Sequence, residues 1–487
     1  MGEFNARQTT VVRNIDWLIA WDGASQSHVY LRDVDLVFAG TEITHIESGF
    51  SGPSDRDIDG RQSFVFPGLI NVHSHPNGEA LRKGITDEVL SPGFWHTSLY
   101  EFLTVYNPDA DGAKAGLQVA LAELLKSGVT TIADLSMPFD GWLDILADSG
   151  IRAVAAPMFR DARWRPLNGH QLAYDWDEGE GQEMFAEAKR VLDLAAQHPS
   201  GRLSGMVSPA QVDTSSPNLI TDSYQYAESR NLPYTIHTAQ SVFEFHEMVR
   251  RHGVSPIQWL NEVGGLGPLS LLGHGIFLDS HPWVHWSTNI DMDLLAESGA
   301  SIAHCPTVFS RRGITLRTVG EYLRAGVNLG IGTDTYPHNF LEEMRTAAIA
   351  ARITAGTVSD LESRDIFNMA TTGGAKALRL DDVGHLSVGA KADFVMVDTK
   401  HPSMMPLREP LRSLLYVAAD RAVRDVFVDG LQVVKDGDPV HIDLQAASEA
   451  LQAAQERCLT AVPSLDWAGR GADEMAPMVF ETATALD

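Results

Sequence analysis

Hydrophobic and polar positions change their spacing along the chain. From about residue 9 to residue 66, short segments of alternating apolar and polar residues are separated by Asp-Gly and Ala-Gly pairs. This pattern predicts antiparallel β-strands joined by turns. It returns after residue 384, where Asp429-Gly430 lies between two β-like segments. We therefore predict one composite β domain, built from residues 1–66 and 384–442.

Residues 67–383 alternate apolar β-like segments with amphipathic helical ones. In residues 111–127, four leucines lie on one helical face, and Gly128 precedes the next β-like segment. Eight β-like segments end near residues 75, 134, 157, 209, 239, 278, 306 and 334. This repetition predicts an α/β fold, a (β/α)8 barrel of the TIM type. A doubly wound open sheet is the alternative, although no glycine-rich dinucleotide-binding turn follows the first segment. Residues 443–487 are predicted to form a partly helical tail.

The charge balance narrows the range of partners. Lys and Arg number 37 against 64 Asp and Glu, which gives a net charge of −27. A field of this sign repels phosphate backbones and anionic lipids, so we expect neither nucleic acid nor a membrane as partner. Two cysteines do not make a disulfide framework, and we find no signal peptide and no long apolar span. The sequence therefore predicts a soluble cytoplasmic protein.

The first candidate metal ligands are His73 and His75, which follow an apolar run over residues 64–72. In a strand, side chains two residues apart point to the same face about 7 Å from each other, so both imidazoles can hold one metal ion. His237, His274 and Asp334 lie at or near the ends of later β-like segments. Barrel enzymes carry their chemistry at those ends. Imidazoles with a carboxylate suit one divalent ion, with Zn²⁺ as first choice and Fe²⁺, Co²⁺ or Mn²⁺ as alternatives.

Four motifs carry a resemblance to a known family: Pro67-Gly68-Leu69-Ile70-Asn71-Val72-His73-Ser74-His75, Gly273-His274-Gly275, His304-Cys305-Pro306 and Gly332-Thr333-Asp334. They resemble the amidohydrolase superfamily, within it the branch of atrazine chlorohydrolase and of cytosine, guanine and adenosine-derivative deaminases. The resemblance covers roughly residues 10–440 and does not specify a substrate. It implies a barrel with a β-sandwich made from both chain ends.

The resemblance also implies a metal site. His73, His75, His237 and Asp334 would bind one metal, and His274 would contact the attacking water or the substrate. Superfamily members with two metals bridge them with a modified lysine or a carboxylate from the fourth strand. Residues 203–209 contain neither residue type, so we expect a single metal.

Gln240 departs from the pattern of the deaminases, which carry a glutamate three residues after the strand-5 histidine. An amide forms hydrogen bonds but does not carry a proton near neutral pH. We therefore expect hydrolysis of a non-peptide C–N bond in an amide, urea or carbamate, by a water that the metal activates. Asp334 would carry the proton, and His274 would support the oxyanion. Among non-deaminating members, the chain is similar to hydrolases of phenylurea and thiocarbamate herbicides.

Two alternatives remain open. The first is an aminohydrolase, a deaminase or dechlorinase of a triazine, pyrimidine or purine-like ring; Glu244, one helical turn after Gln240, would then be a candidate to reach back. The second is a binding protein on a degenerate barrel in which metal serves folding alone.

Aromatic residues are frequent in the segments that follow the β-like segments, which favours a small and largely uncharged substrate. We predict that Trp95, Gln240, His304 and His338 contact this substrate. The architecture is also typical of homo-oligomers.

Overall fold

The computed structural model describes residues 8–89 and 91–481. Its strands are β1 (Thr9–Ile15), β2 (Trp17–Asp22), β3 (Ser27–Leu31), β4 (Val34–Ala39), β5 (Glu42–Glu47), β6 (Arg56–Asp59), β7 (Ser63–Pro67), β8 (Leu69–Ser74), β9 (Val129–Asp134), β10 (Arg152–Ala155), β11 (Met158–Phe159), β12 (Ala162–Asn168), β13 (Gln171–Trp176), β14 (Leu203–Gly205), β15 (Ser208–Pro209), β16 (Tyr234–Thr238), β17 (Ser270–His274), β18 (Ser301–His304), β19 (Asn328–Ile331), β20 (Phe394–Asp398), β21 (Val423–Val428), β22 (Leu431–Lys435) and β23 (Asp438–Pro439).

Its α-helices are α1 (Pro76–Glu79), α2 (Ala110–Lys126), α3 (Trp142–Asp148), α4 (Glu178–Ala196), α5 (Pro217–Arg230), α6 (Val242–His252), α7 (Pro256–Glu262), α8 (Asp291–Ser298), α9 (Pro306–Ser310), α10 (Val319–Arg324), α11 (Phe340–Ala355), α12 (Ser363–Met369), α13 (Thr372–Leu378), α14 (Pro410–Ser413), α15 (Leu444–Leu465) and α16 (Ala472–Met475).

Strands from the two ends of the chain pair with each other. A seven-stranded sheet has the order β23-β22-β21-β20-β7-β2-β3, and in it β20 runs antiparallel to β7. A second, four-stranded sheet has the order β5-β4-β1-β6. The two sheets share a hydrophobic core in which Phe38, Phe394 and Phe427 are buried. Residues more than 300 positions apart therefore stabilise one another here, as the composite β domain requires.

The middle of the chain forms two four-stranded parallel sheets. Their orders are β14-β10-β9-β8 and β16-β17-β18-β19, and helices connect successive strands. Single parallel bridges join the outer strands of the two sheets, between Val207 and Tyr234 at one side and between Ser74 and Asp334 at the other. The predicted α/β class with parallel strands and crossover helices is confirmed.

Three details differ from the sequence-based expectation. The predicted segment at residues 203–209 is two short strands, β14 and β15. The antiparallel hairpin β12–β13 was not predicted, because its residues alternate in burial without forming an apolar run. Helix α15, Leu444–Leu465, extends beyond the helix over residues 444–459 that we expect from the sequence of the tail. Within the described part of the chain, no helix is both long and apolar enough to cross a bilayer.

Candidate metal centre and substrate cavity

Backbone pairing brings the candidate ligands together at the carboxyl ends of the parallel strands. His73 lies in β8, and the amide of Asp334, just beyond β19, donates to its carbonyl at 2.8 Å. The amide of His75 in turn donates to the carbonyl of Asp334 at 2.9 Å. In the neighbouring pair β16–β17, His237 is in register with Gly273, next to His274. The ladder therefore sets the relative positions of all five side chains before any side-chain contact forms.

The five side chains converge within a few ångströms. The Nε2 atoms of His75 and His237 are 3.1 Å apart. Asp334 Oδ1 lies 3.4 Å from His75 Nε2 and 3.6 Å from His73 Nε2, and Asp334 Oδ2 lies 4.0 Å from His274 Nε2. One ligand atom from each of His73, His237, His274 and Asp334 lies within 4.8 Å of the other three.

This mutually close set contains His274, whereas the predicted ligand set contains His75 in its place. Because His75 approaches both His237 and Asp334, the geometry is compatible with either set around one ion.

Hydrogen bonds orient two of the imidazoles. His75 Nδ1 lies 2.7 Å from the carbonyl oxygen of Leu135, and His237 Nδ1 bonds the carbonyl oxygen of Ala210. These bonds place the Nδ1 proton outward and turn a bare Nε2 into the site, which is how proteins present imidazole to a metal. Both ring nitrogens of His73 and of His274 are buried without a hydrogen-bond partner among the described residues. A bound cation would give these ring nitrogens and the nearby carboxylate a ligand partner, so the residues fit a divalent metal.

Burial keeps the imidazoles neutral. Desolvation lowers the pKa of His73 and of His75 to about 3, and that of His237 to about 4. It lowers the pKa of His274 well below its usual value, with the neighbouring histidines adding to the effect. Burial also raises the pKa of Asp334, against an opposing effect of His75 and His237. Neutral imidazoles can coordinate without first losing a proton.

Two of these residues have unusual backbone conformations. The φ angle is +83° at His274 and +59° at Asp334, in the left-handed region that residues with a Cβ rarely adopt. Such strain persists where surrounding structure holds it, and it is concentrated at functional sites. Close packing continues at Gly332, where an added Cβ would lie 2.7 Å from the Cβ of His73. The motif Gly332-Thr333-Asp334 therefore needs a glycine at its first position, because any larger residue would collide with β8.

A cavity of about 610 Å³ opens onto the cluster. His75, His237 and Asp334 line its floor, and loops after several strands form its walls. Of the predicted substrate contacts, Gln240 and Trp95 line this cavity. His304 instead lines a small neighbouring cavity with His274, and His338 lines neither, being fully buried. Substrate contact by His304 and His338 stays a prediction without support from their positions.

Gln240 is held by a carboxylate behind it. Glu244 is fully buried, and its two oxygens accept the backbone amides of Ala239 at 2.7 Å and of Gln240 at 3.1 Å. The side-chain amide of Gln211 donates to the same carboxylate at 3.3 Å. Glu244 thus reaches back, as the sequence suggested, but it does so to fix the backbone and does not line the cavity. The Oε1 atom of Gln240 is buried without a partner among the described residues.

Sequence reasoning missed the basic character of the cavity walls. Arginines 82, 160, 163, 311 and 312 all line the cavity, in a chain whose net charge is −27. Three of them are paired with carboxylates, Arg82 with Glu79, Arg163 with Glu180 and Arg311 with Asp87.

Arg160 and Arg312 have no ion pair among the described residues, although Arg312 donates to Ser98 Oγ at 2.6 Å. The Nε of Arg160 is buried and has no partner within the described chain. Basic residues directly after the third β-like segment were the available signal.

Comparisons with known proteins agree with this geometry. The model of the amidohydrolase family matches residues 64–433. A 5-methylthioadenosine/S-adenosylhomocysteine deaminase of Natronomonas pharaonis is 30% identical over 419 residues, covering 84% of this chain and 90% of the relative. A 5'-deoxyadenosine deaminase of Methanothermobacter thermautotrophicus is 27% identical over 432 residues, covering 87% and 94%.

Among solved structures, a zinc-bound adenosine deaminase of Xanthomonas campestris superposes with a TM-score of 0.80 at 23% identity, covering 93% of this chain and 98% of the other. The zinc complex of atrazine chlorohydrolase from Arthrobacter aurescens TC1 gives a TM-score of 0.77 at 22% identity, covering 92% and 100%. At these identities the two structures support the shared fold alone.

Proposed function

Because this chain belongs to the amidohydrolase family and is a hydrolase of C–N bonds other than peptide bonds, we propose that it deaminates an adenosine derivative. This reading was the alternative at the level of sequence. The family match and the deaminase relatives now favour it over cleavage of an amide, urea or carbamate. The site supports it with a metal centre at the floor of a cavity large enough for a nucleoside-sized molecule.

We place one divalent metal among His73, His75, His237 and Asp334, with His274 as a neighbour or a fifth ligand. When bound, such an ion acts as a Lewis acid that brings the pKa of water towards neutrality. Zinc is our first choice because imidazole and carboxylate ligands suit it and because the two structural neighbours bind it.

Side chains of this protein transfer the protons of the proposed reaction. Water adds to the ring carbon that bears the amino group. One of its protons goes to the amino nitrogen, which leaves as ammonia, and the other ends on the adjacent ring nitrogen as the ring carbonyl forms. Asp334 is the proton carrier, taking a proton from the attacking water and giving it to the leaving nitrogen. His274, with Nε2 at 4.0 Å from Asp334 Oδ2, is placed to form a hydrogen bond with the oxygen of the attacking water.

Arg160 bears on the chemistry of the substrate. Its guanidinium lies in the cavity wall and its buried Nε has no partner among the described residues, so an anionic group would complete it, most readily a carboxylate in bidentate contact. The names of the relatives include substrates with and without such a group: S-adenosylhomocysteine carries a carboxylate, whereas 5'-deoxyadenosine and methylthioadenosine do not. The arginine therefore favours the substrate that ends in an amino acid.

Gln240 favours a second candidate function. Deamination of a purine requires a proton on a ring nitrogen, and an amide supplies a hydrogen bond without supplying that proton. Cleavage of an amide, urea or carbamate needs protonation of the leaving nitrogen alone, which Asp334 can perform. The single observation that separates the two candidates is thus the residue at position 240.

The test is a substrate panel with the metal-reconstituted protein. It contains 5'-deoxyadenosine, methylthioadenosine and S-adenosylhomocysteine, together with N-aryl ureas and thiocarbamates, and it follows ammonia release separately from release of an organic amine. Ammonia from the adenosine derivatives supports the first proposal. Turnover restricted to the ureas or thiocarbamates overturns it in favour of the second. No turnover of either group, with metal bound, overturns both.

We also propose the finer fold assignments. The two parallel sheets, bridged at Val207–Tyr234 and at Ser74–Asp334, would complete one (β/α)8 barrel over residues 67–383. The two antiparallel sheets would form the β-sandwich of residues 1–66 and 384–442, with 443–487 as a tail. A cytoplasmic location and a homo-oligomeric state stay predictions.

A further inference from the structure

The segment after the β domain lies against one wall of the cavity. Helix α15 and the turn that follows it, up to Arg470, lie outside the part of the chain that matches the family model. Leu451, Ala454 and Val462 of α15 are buried in a hydrophobic cluster with Leu81 and Phe102. This cluster is separate from the main core of the parallel sheets. The C-terminal segment therefore packs on the stretch that follows the first parallel strand.

That stretch supplies one side of the cavity. Trp95, Ser98, Leu99, Leu103 and Asn107 all line it, and Trp95 is the predicted substrate contact among them. The backbone there is irregular, with left-handed φ angles of +55° at Trp95 and +66° at His96. Such conformations need support from outside the loop. We call residues 91–107 the wall loop.

The hydrogen bonds that support the wall loop are made to Glu101, a buried residue of this loop that is 5% exposed. Ser91 Oγ donates to its Oε2 at 2.7 Å. From the C-terminal segment, the indole Nε1 of Trp467 and the Nη2 of Arg470 both donate to Oε1, each at 3.1 Å. Two of the three side-chain donors to this carboxylate therefore come from a segment more than 360 residues away.

Hydrogen bonds of Ser91 connect Glu101 to the turn that carries Trp95. The carbonyl oxygen of Ser91 accepts the amides of Phe94 at 3.0 Å and of His96 at 3.1 Å, the residues on either side of Trp95. The short turn Pro92–Phe94 ends at Trp95, which is 49% exposed and lines the cavity. A change at Glu101 therefore moves the anchor of the turn that carries Trp95.

We infer that Glu101, together with Trp467 and Arg470, is a set of positioning residues that holds the wall loop and its Trp95 in place for substrate binding. A buried carboxylate that loses its charged and indole donors must find others or expose itself to water, and either outcome reshapes the loop. The candidate metal ligands lie on or directly after the parallel strands, outside these contacts, so we expect them to stay in place. The inference concerns the substrate cavity and rests on the proposed function only for its kinetic readout.

The first experiment needs no substrate. Hydrogen exchange followed by mass spectrometry compares the unaltered protein with Trp467→Phe and Arg470→Gln, and with Arg470→Lys as the conservative variant. Loss of a hydrogen bond to a charged group predicts about 10-fold faster exchange in peptides covering residues 91–107, with the strand peptides unchanged. Arg470→Lys should return exchange towards that of the unaltered protein.

Arg457→Gln is the matched control. It removes an exposed ion pair between the same helix and Asp109, with Nε 2.6 Å from Oδ2, and does not contact Glu101. Equal exchange in the wall loop of Trp467→Phe, Arg470→Gln and the unaltered protein overturns the inference. So does a uniform increase over the whole chain in the two variants, since that reports lower global stability.

The second experiment uses whichever substrate the panel identifies. A positioning role predicts that Trp467→Phe raises KM about 10-fold and changes kcat less than about 3-fold. A fall in kcat with KM unchanged contradicts the inference. If the panel finds no substrate, the proposed function fails while the exchange result still decides this inference.

Discussion

The floor and the wall of the cavity are built in different ways. On the floor, His75, His237 and Asp334 lie on or directly after parallel strands, and backbone hydrogen bonds set their positions. The wall loop has no such ladder, and Glu101 holds it through contacts with a distant segment. Chemistry thus depends on rigid strands and substrate selection on supported loops, a division typical of barrel enzymes.

Replacing Asp334 with Asn tests the floor and carries the largest expected effect. It removes the proton carrier and a negatively charged ligand while keeping the shape, so turnover should fall by about 10³-fold or more. Metal content per chain, measured by atomic absorption, should fall too. A variant that keeps both full metal content and full activity contradicts the assignment. His252→Asn, on the outer helix α6, serves as a control for histidine loss.

Replacing Gln240 with Glu sharpens the choice between the two proposed functions. Adding a group that can carry a proton to a ring nitrogen should raise ammonia release from an adenosine derivative by about 10²-fold. For a urea or carbamate substrate the same change should bring no gain. The measurement is kcat for both substrate types, and the urea or carbamate assay on the same variant controls for the added charge.

Arg160→Gln tests a second part of the cavity wall. If the guanidinium binds a substrate carboxylate, KM for S-adenosylhomocysteine should rise about 10- to 100-fold, while KM for methylthioadenosine changes little. The comparison of the two substrates is the internal control, because general damage to the cavity affects both. Equal effects on the two substrates rule out a carboxylate contact.

Glu343→Gln has the smallest expected effect and concerns stability alone. Glu343 is buried in α11 and accepts the amide of Thr307 at 2.8 Å, and burial raises its pKa to about 8. A raised carboxyl pKa means that the folded state holds the proton more tightly than the unfolded state does. The contribution of Glu343 to the free energy of unfolding is therefore full below about pH 4.5 and is lost as the pH rises through about 8. Gln cannot ionise, so the variant should lose less Tm than the unaltered protein between pH 5 and pH 9. Parallel Tm curves would contradict the buried, protonated state.

Local pattern predicted the floor well. The residue types, the strand ends and the family motifs led to His73, His75, His237, His274 and Asp334, and the structure brings them together. This worked because the carboxyl ends of parallel strands lie at one edge of the sheet, and here bridges such as Ser74–Asp334 bring the outer segments together. The same reasoning named Gln240 and Trp95 as cavity residues but also named His304 and His338, which lie outside the main cavity. A side chain near a strand end can point into the core as easily as into the cavity, and spacing alone does not distinguish the two.

Gln240 and Glu244 show why the function is harder to predict from local sequence than the metal ligands are. Gln240 was weighed as evidence against deamination, while similarity over the whole chain favours deaminases. A single residue has a strong chemical meaning only when its neighbours are known. Glu244 illustrates this, since its position four residues later suggested a replacement acid, and its carboxylate is instead occupied with three amide donors.

By itself, the sequence determined the periodicity of the elements, the α/β class and the set of ligand-type side chains, because these follow from local spacing and residue chemistry. Tertiary structure alone decided which cavity arginines have no ion pair among the described residues, where Glu244 directs its carboxylate and which distant segment supports the wall loop. Those facts depend on contacts between residues such as Glu101 and Arg470, far apart in the chain. Such contacts exist only after the backbone has closed around the cavity, and no local pattern records them.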